Sequence, residues 1–420
     1  MEKKNDTLKV KLINITKKNV LFRKLARKIL YVKRYIIFRI RGIGKKVDDK
    51  TVMFYAFKGQ AYTCTPKAIY EYMIQDEKYK EYKFIWAFKE PENYKFLEKN
   101  KNTSVIKYGG KEYEKNLAVA KYWIFNYRVD DHIYPKKNQV YVQCWHGTPL
   151  KKLGYDLKDT HNAMNSEQEI HDKYRIDAKK FKYILSPSKF ASEKFVSAWN
   201  LINTNMQDKI IEKGYPRNDF LYNYKQEDVE KIKDKLKITK DKKIILYAPT
   251  WRDDQHQADI GYTYHTEVDF DLLKEKLEKE YIILFRAHYL VANSFDFSKY
   301  QGFIYNVSDV DDINELYVVS DLLITDYSSV FFDYANLKRP MIFYMYDLEK
   351  YKDDLRGFYL EIKELPGEIT KTEKELIKAI ENTKDFVYDK KYEEFNQKYN
   401  YLDDGNATKR VVEECIKIDS

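Results

Sequence analysis

The stretch Leu322-Leu323-Ile324-Thr325-Asp326-Tyr327-Ser328-Ser329-Val330-Phe331-Phe332-Asp333-Tyr334 decides the fold. Four residues of strand type run directly into a short polar segment, and the polar segment opens a helix carrying Phe331 and Phe332. A strand that turns at once into a covering helix is the repeating unit of a parallel sheet, because parallel neighbours need a crossover between them.

The same unit recurs outward from this stretch. Apolar runs at 244–248, 282–286, 303–306 and 341–344 are predicted as its companion strands, and 270–280, 312–319 and 329–337 as helices between them. Upstream, a first set of strands is expected at 51–57, 83–88, 104–107, 122–125, 140–145 and 183–185, with helical segments such as 111–120 between several of them. Thr65-Pro66 adds a cap residue followed by proline at a helix start. The charged, apolar-poor stretch 222–241 separates the two sets, and from Thr370 onward only helices are expected. No internal repeat interrupts the alternation. The prediction is an α/β protein, GT-B-like, with two Rossmann-type lobes at 47–225 and 226–420, the second including the terminal helices.

Bulk composition agrees. A chain of 420 residues exceeds the size at which one core usually stops growing. Hydrophobic residues at 44%, with 39 Tyr and 23 Phe, exclude disorder. Cys64, Cys144 and Cys415 are far apart, with no CxxC spacing, which points to a reducing compartment and no structural zinc. Neither a membrane-spanning apolar run nor a signal peptide is expected.

The net charge of +10 is concentrated. Residues 1–46 hold 16 Lys/Arg against Glu2 and Asp6, so the rest of the chain is net −4. Within this arm Phe22, Leu25, Ile29, Val32, Ile36 and Ile40 recur at spacings of three and four, with basic residues such as Arg23, Lys24, Lys28 and Lys33 between them, and Gly42 and Gly44 close the pattern. A basic amphipathic helix of this kind suits an anionic membrane surface. Two other readings use the same residues: a helix docked on its own protein, and a nucleic-acid-binding arm, against which the acidic body argues.

Ligands of doubly wound sheets bind beyond the carboxyl ends of the strands, so polar residues there are the site candidates. Trp145-His146-Gly147-Thr148-Pro149 follows the run 140–144, placing a histidine where a strand opens into a loop. Such a histidine can take a proton from a hydroxyl, and it can equally be a half-buried histidine bonded to a loop carbonyl. Arg286-Ala287-His288 occupies the equivalent place in the second set, where a guanidinium suits a phosphate or a buried ion pair. Ser328 and Ser329 at a helix start suit an anion or ordinary capping by Asp326 or Ser328. Asp309-Val310-Asp311-Asp312 resembles an acidic clamp, but acids just before a helix are routine. Neither GxGxxG nor GxxxxGK[ST] occurs, and no cofactor or metal is expected.

Taken in order, Val142 to Gly154, Gly214-Tyr215-Pro216-Arg217-Asn218-Asp219, Tyr247-Ala248-Pro249-Thr250-Trp251-Arg252, Arg286-Ala287-His288-Tyr289-Leu290 and Ser320 to Tyr334 resemble the CDP-glycerol glycerophosphotransferases of teichoic acid synthesis, with their ribitol-phosphate relatives. The resemblance runs from about Val52 to Leu360. It implies a GT-B fold, a monotopic place on the cytoplasmic face of the membrane, and transfer of polyol phosphate from CDP-glycerol (or CDP-ribitol) to a polyprenyl-diphosphate-linked acceptor. It makes 47–225 the acceptor lobe and 226–420 the donor lobe. It implies His146 and His288 as the essential histidines, and donor binding by Trp145, Gly147, Thr148, Pro149, Arg217, Pro249, Thr250, Arg286, Ala287, Ser328, Ser329 and Asp333. The large polymerases of the family carry a long extension ahead of the catalytic module, where this chain has its basic arm.

Overall fold

The computed structural model describes residues 20–158, 166–239, 241–250, 256–257, 261–262, 268–287, 296–349 and 357–417. Two parallel sheets dominate it. The first contains β1 (Asp48–Tyr55), β2 (Lys83–Phe88), β3 (Thr103–Lys107), β4 (Ala120–Phe125), β5 (Val140–Gln143), β6 (Tyr183–Ser186) and β7 (Ile210–Glu212) in the order β3-β2-β1-β4-β5-β6-β7. After β8 (Lys243–Ala248) comes a two-residue antiparallel pair, β9 (His256–Gln257) and β10 (Gly261–Tyr262). β11 (Tyr281–Phe285), β12 (Ile304–Asn306), β13 (Leu322–Thr325), β14 (Met341–Tyr344) and β15 (Glu368–Thr370) complete the second sheet, ordered β12-β11-β8-β13-β14-β15. Each sheet reverses strand order beside its first strand, the Rossmann arrangement, with the switch point at β1/β4 in one lobe and β8/β13 in the other.

Strand alternation sends neighbouring side chains to opposite faces, and both faces are covered. In β1, Val52 and Phe54 join one core with Trp86 and Val142, while Met53 and Tyr55 join another with Trp123 and Trp199. In β8, Ile244 and Leu246 separate in the same way from Ile245 and Tyr247. The strands are therefore apolar almost throughout, which made them legible as runs. The three cysteines are buried and free.

Two expectations need correction in detail. The helix expected to begin with Thr65 as its cap spans Cys64–Gln75, with Thr63 ahead of it making no side-chain cap bond. The terminal helices do not all belong to the second lobe by packing: Val411, Val412 and Cys415 of the helix Ala407–Cys415 lie in the same core as Val52 and Phe54. Its amphipathic pattern marks a buried face but does not say against what.

The helix Val20–Arg41 docks on its own protein; the first 19 residues of the arm lie outside the described ones. One side docks on the first lobe: Phe38 is buried, Arg27 pairs with Glu169 and Arg41 with Glu114, each at 2.7 Å. The other side leaves Leu25, Ile29, Val32, Ile36 and Ile40 exposed in a row. Among the described residues no helix is long and apolar enough to cross a membrane.

Candidate active site

The first half of the site grows from the end of β5. Cys144 N–H continues the ladder by donating to Phe125 O at 2.7 Å, and Trp145 then turns sharply with φ 50, its N–H donating to Gln143 Oε1 at 3.0 Å. A left-handed φ in a bulky residue is strained and persists only where packing enforces it. Here the indole is wedged edge-on against Trp199, with ring centroids 4.9 Å apart.

This turn delivers His146 to the cleft. Its Nδ1 lies 2.9 Å from the carbonyl oxygen of Asn126, which follows β4. A carbonyl only accepts, so Nδ1 carries the hydrogen and the lone pair resides on Nε2. Trp145, Phe57 and Tyr127 surround the ring at centroid distances of 4.3, 5.7 and 5.9 Å. Burial among these aromatics pulls the imidazole down to about 4; the Asn126 carbonyl opposes the shift, and the charges of Arg217 and Arg128 add to it. His146 is therefore neutral at pH 7 and able to accept a proton. The loop-carbonyl reading and the proton-acceptor reading describe one geometry, since the carbonyl fixes the tautomer that leaves Nε2 open.

The second lobe supplies the facing half. Arg286 follows β11; its N–H bonds to Tyr247 O at 2.9 Å and its Nη1 donates to Val307 O and Val310 O at 3.1 and 2.7 Å. These bonds hold the guanidinium across the loop after β12. Asp326, at the end of β13, accepts from Thr250 N–H at 2.7 Å and from Tyr327 N–H at 2.6 Å, tying the ends of β8 and β13 together at the switch point. With Asp326 so engaged, Ser328 and Ser329 stand at the start of the helix Val330–Tyr334. Ser329 makes no side-chain cap bond, and Ser328 Oγ receives only a long contact from Val330 N–H at 3.5 Å. Capping thus leaves these hydroxyls largely uncommitted.

The two halves meet. Trp145, His146, Gly147, Thr148 and Pro149 share a cavity of about 580 Å³ with Pro249, Thr250, Arg286, Ala287, Ser328 and Ser329. At Gly147 the lobes approach closely: a Cβ there would lie 2.9 Å from Ser329 Oγ. Lys152 N–H donates to Gly357 O and Tyr359 N–H to Leu150 O, which joins the lobes beside the cavity.

Two candidates are placed elsewhere. Arg217 and Asp333 do not line this cavity but pair with each other across the lobes, with Asn218 Nδ2 also 3.0 Å from Asp333 Oδ1. His288 lies outside the described residues, as do Trp251 and Arg252. Asn126 and Tyr127 were not singled out as site residues by the sequence. Asn126 had a usable signal, being the first polar residue after the run 122–125. Among the described residues no group of three or more His, Cys, Asp or Glu is placed to hold a metal ion.

Two Rossmann lobes that face each other through their strand ends, one offering a neutral histidine and the other an arginine with two serines, define a two-lobed GT-B-type transferase. The family model for CDP-glycerol:poly(glycerophosphate) glycerophosphotransferase matches residues 36–417, and the chain belongs to that family. It is 40% identical to a teichoic acid poly(glycerol phosphate) polymerase of Bacillus spizizenii, over 91% of this chain and 95% of that one. It is 37% identical to a teichoic acid glycerol-phosphate transferase of Staphylococcus aureus, over 91% and 96%. A solved structure of the wall teichoic acid polymerase TagF superimposes with a TM-score of 0.81 at 36% identity, covering 93% of this chain and 95% of that one.

Proposed function

We propose that this glycerophosphotransferase moves glycerol phosphate from CDP-glycerol to the terminal hydroxyl of a lipid-linked acceptor, releasing CMP, in teichoic acid synthesis on the cytoplasmic face of the membrane. The observation that carries the reading is the meeting of His146, its Nδ1 held by Asn126, with Arg286, Ser328 and Ser329 in one inter-lobe cavity.

The acceptor hydroxyl gives its proton to Nε2 of His146 as its oxygen attacks the donor phosphorus that bears glycerol. A new P–O bond forms, the P–O bond to CMP breaks, and CMP leaves with the bonding electrons. The negative charge shared by the phosphorus oxygens and the leaving phosphate falls beside Arg286 and the serine hydroxyls, which are fixed before the reaction begins. Preorganisation has a structural source, since Arg286 is anchored on two carbonyls and the serine segment is anchored through Asp326. The family resemblance makes His288 essential, and its place two residues after Arg286 assigns it, with Arg286, to neutralising charge on the phosphate and the leaving group.

The exposed row Leu25, Ile29, Val32, Ile36 and Ile40 supports attachment to an anionic membrane: apolar side chains enter the headgroup region while Lys28 and Lys33 beside them meet lipid phosphates. CMP release is to be measured with CDP-glycerol and, separately, CDP-ribitol on vesicles bearing lipid-linked acceptor. Release with CDP-glycerol that depends on acceptor is the expected result. Preferential use of CDP-ribitol would overturn the donor assignment, and release without acceptor would overturn the transfer.

A further inference from the structure

A second cavity, of about 510 Å³, lies between the helix Val20–Arg41 and the first lobe. Six cations line it: Arg27, Arg34, Lys58, Arg128, Lys173 and Lys180. Only three carboxylates do, those of Asp130, Asp131 and Asp177. Resting on the acceptor reading above, we propose that this cavity is the acceptor subsite and takes a phosphodiester of the acceptor chain, the one next to the polyol whose hydroxyl reaches His146.

Position is the first argument. Tyr127, a wall of the cavity, stacks on the His146 ring at 5.9 Å and 15°, and Lys58 Nζ sits 5.4 Å from the centre of the Tyr127 ring. One aromatic ring therefore separates the basic cavity from the proton acceptor. On the opposite side the cavity is roofed by Arg27, Leu30, Tyr31 and Arg34 of the helix whose outer face is apolar and exposed. A lipid-linked chain entering from a membrane beneath that helix passes the cations before its end reaches His146.

The turn that builds the wall is the second argument. Phe57 and Lys58 have φ of 47 and 57, and Gly59 follows with φ 79. Two successive non-glycine residues in the left-handed region are costly, and such strain persists where the surroundings over-determine it, typically at functional sites. Here Phe57 N–H is held by Asn126 Oδ1 at 2.7 Å, the same residue whose carbonyl orients His146. The strained turn places Phe57 against the imidazole and Lys58 in the cavity at once.

Unbalanced charge is the third. Lys58 pairs with Asp130 at 2.9 Å, and Arg27 with Glu169 outside the cavity lining. Lys180 Nζ rests on the carbonyl oxygens of Asp130 and Asp131 at 2.8 and 2.9 Å, and Arg128 lies over the Tyr174 ring. Asp177 accepts from Trp199 Nε1 at 3.0 Å. Desolvation pulls Lys180 down to about 8 against the opposing pull of Asp177, Asp131 and Asp130, and it lowers Lys173, where Arg128 adds to the shift. An anion entering the cavity offsets that desolvation by pairing with the ammonium groups. A phosphodiester carries one negative charge and accepts several N–H bonds, which matches a cluster of guanidinium and ammonium groups.

The test is calorimetric titration of the full chain with a soluble oligo(glycerol phosphate) that has no lipid, beside separate titrations with CDP-glycerol and with phosphatidylglycerol vesicles. Arg34→Gln and Lys180→Gln are each expected to weaken the oligomer by about tenfold or more, with CDP-glycerol affinity unchanged. Arg34→Gln carries the test alone if Lys180→Gln fails to fold, because Arg34 is exposed on the helix. No oligomer binding by the unaltered chain, or equal oligomer affinity in the variants, overturns the proposal. Loss of vesicle binding with unchanged oligomer affinity assigns the cavity to a lipid headgroup and also overturns it. Oligomer binding without CMP release from CDP-glycerol would refute the donor reading and leave this subsite standing.

Discussion

Arg217 and Asp333 join the two lobes through paired hydrogen bonds, Nε to Oδ2 at 3.1 Å and Nη2 to Oδ1 at 2.9 Å, where both residues are nearly closed to solvent. The guanidinium also lies over the Tyr215 ring at 3.9 Å. Asp333→Ala leaves this cation buried without its carboxylate, and removing one partner of a buried pair typically costs about 3–5 kcal/mol. Urea unfolding is expected to show a loss of that order. A variant as stable as the original would mean that the lobes are not held here.

His146→Ala is expected to lower turnover by ~10²–10⁴-fold while leaving CDP-glycerol affinity nearly intact, since the imidazole acts on the acceptor hydroxyl. Single-turnover CMP release at saturating donor, with a parallel donor titration, separates the two quantities. Near-normal turnover in a folded variant removes His146 as the base.

The pH profile follows from the same residue. Burial holds His146 at about 4 in the folded protein against an ordinary value of 6.5, so the base form persists to lower pH than a solvated histidine would allow. The acid limb of kcat/KM assigned to this group is expected near 4, with no break near 6.5. Between those values the unfolded chain binds the extra proton and the folded one does not, so His146 makes stability rise with pH through that window and fall as pH drops from 6.5 toward 4. An acid limb centred near 6.5 in the free enzyme would contradict the buried geometry.

Ser328→Ala with Ser329→Ala is expected to weaken CDP-glycerol binding, and Asp at either position to weaken it further by repelling the phosphates. Calorimetry on the donor alone reads this. Equal affinity in the Asp variants would place the serines off the phosphate path.

Gly147 tests the closeness of the lobes. Gly147→Ala sets a methyl 2.9 Å from Ser329 Oγ, and the resulting displacement is expected to lower turnover by about ten- to a hundredfold. Ser329→Ala removes the obstructing oxygen, leaving the Ser329 Cβ at 3.7 Å. The double variant is therefore expected to turn over faster than Gly147→Ala does. Strictly additive losses would show that no contact forms there.

Most of the cleft is legible at the strand ends, because apolar runs mark buried strands and polar residues after them mark the ligand edge. The three-residue strands Ile210–Glu212 and Glu368–Thr370 are not legible, both being at sheet edges and too short to show a period. The pairing of Arg217 with Asp333 spans 116 positions, which no local pattern records. The arm illustrates a different limit. Its periodicity revealed one apolar stripe but not the second face, where Phe38 and Arg41 grip the lobe, so deleting the whole arm removes packing as well as the exposed row. Point changes such as Ile29→Glu and Ile36→Glu separate membrane attachment from folding.

The return of Ala407–Cys415 to the first lobe sets an order of events during synthesis. Residues 48–212 can pair their strands early, yet Val411, Val412 and Cys415 complete the face of that sheet only when nearly the whole chain has emerged. Asp219, which receives the backbone N–H groups of Ala407 and Thr408 at 2.9 and 2.7 Å, waits for the same residues. Until they arrive, a patch of the first core stays open to water, the kind of surface that invites aggregation of an unfinished chain. The first lobe to be made is thus the last to be sealed, and a stop codon a few residues before Ala407 would disable a domain whose own strands end far upstream, at Glu212.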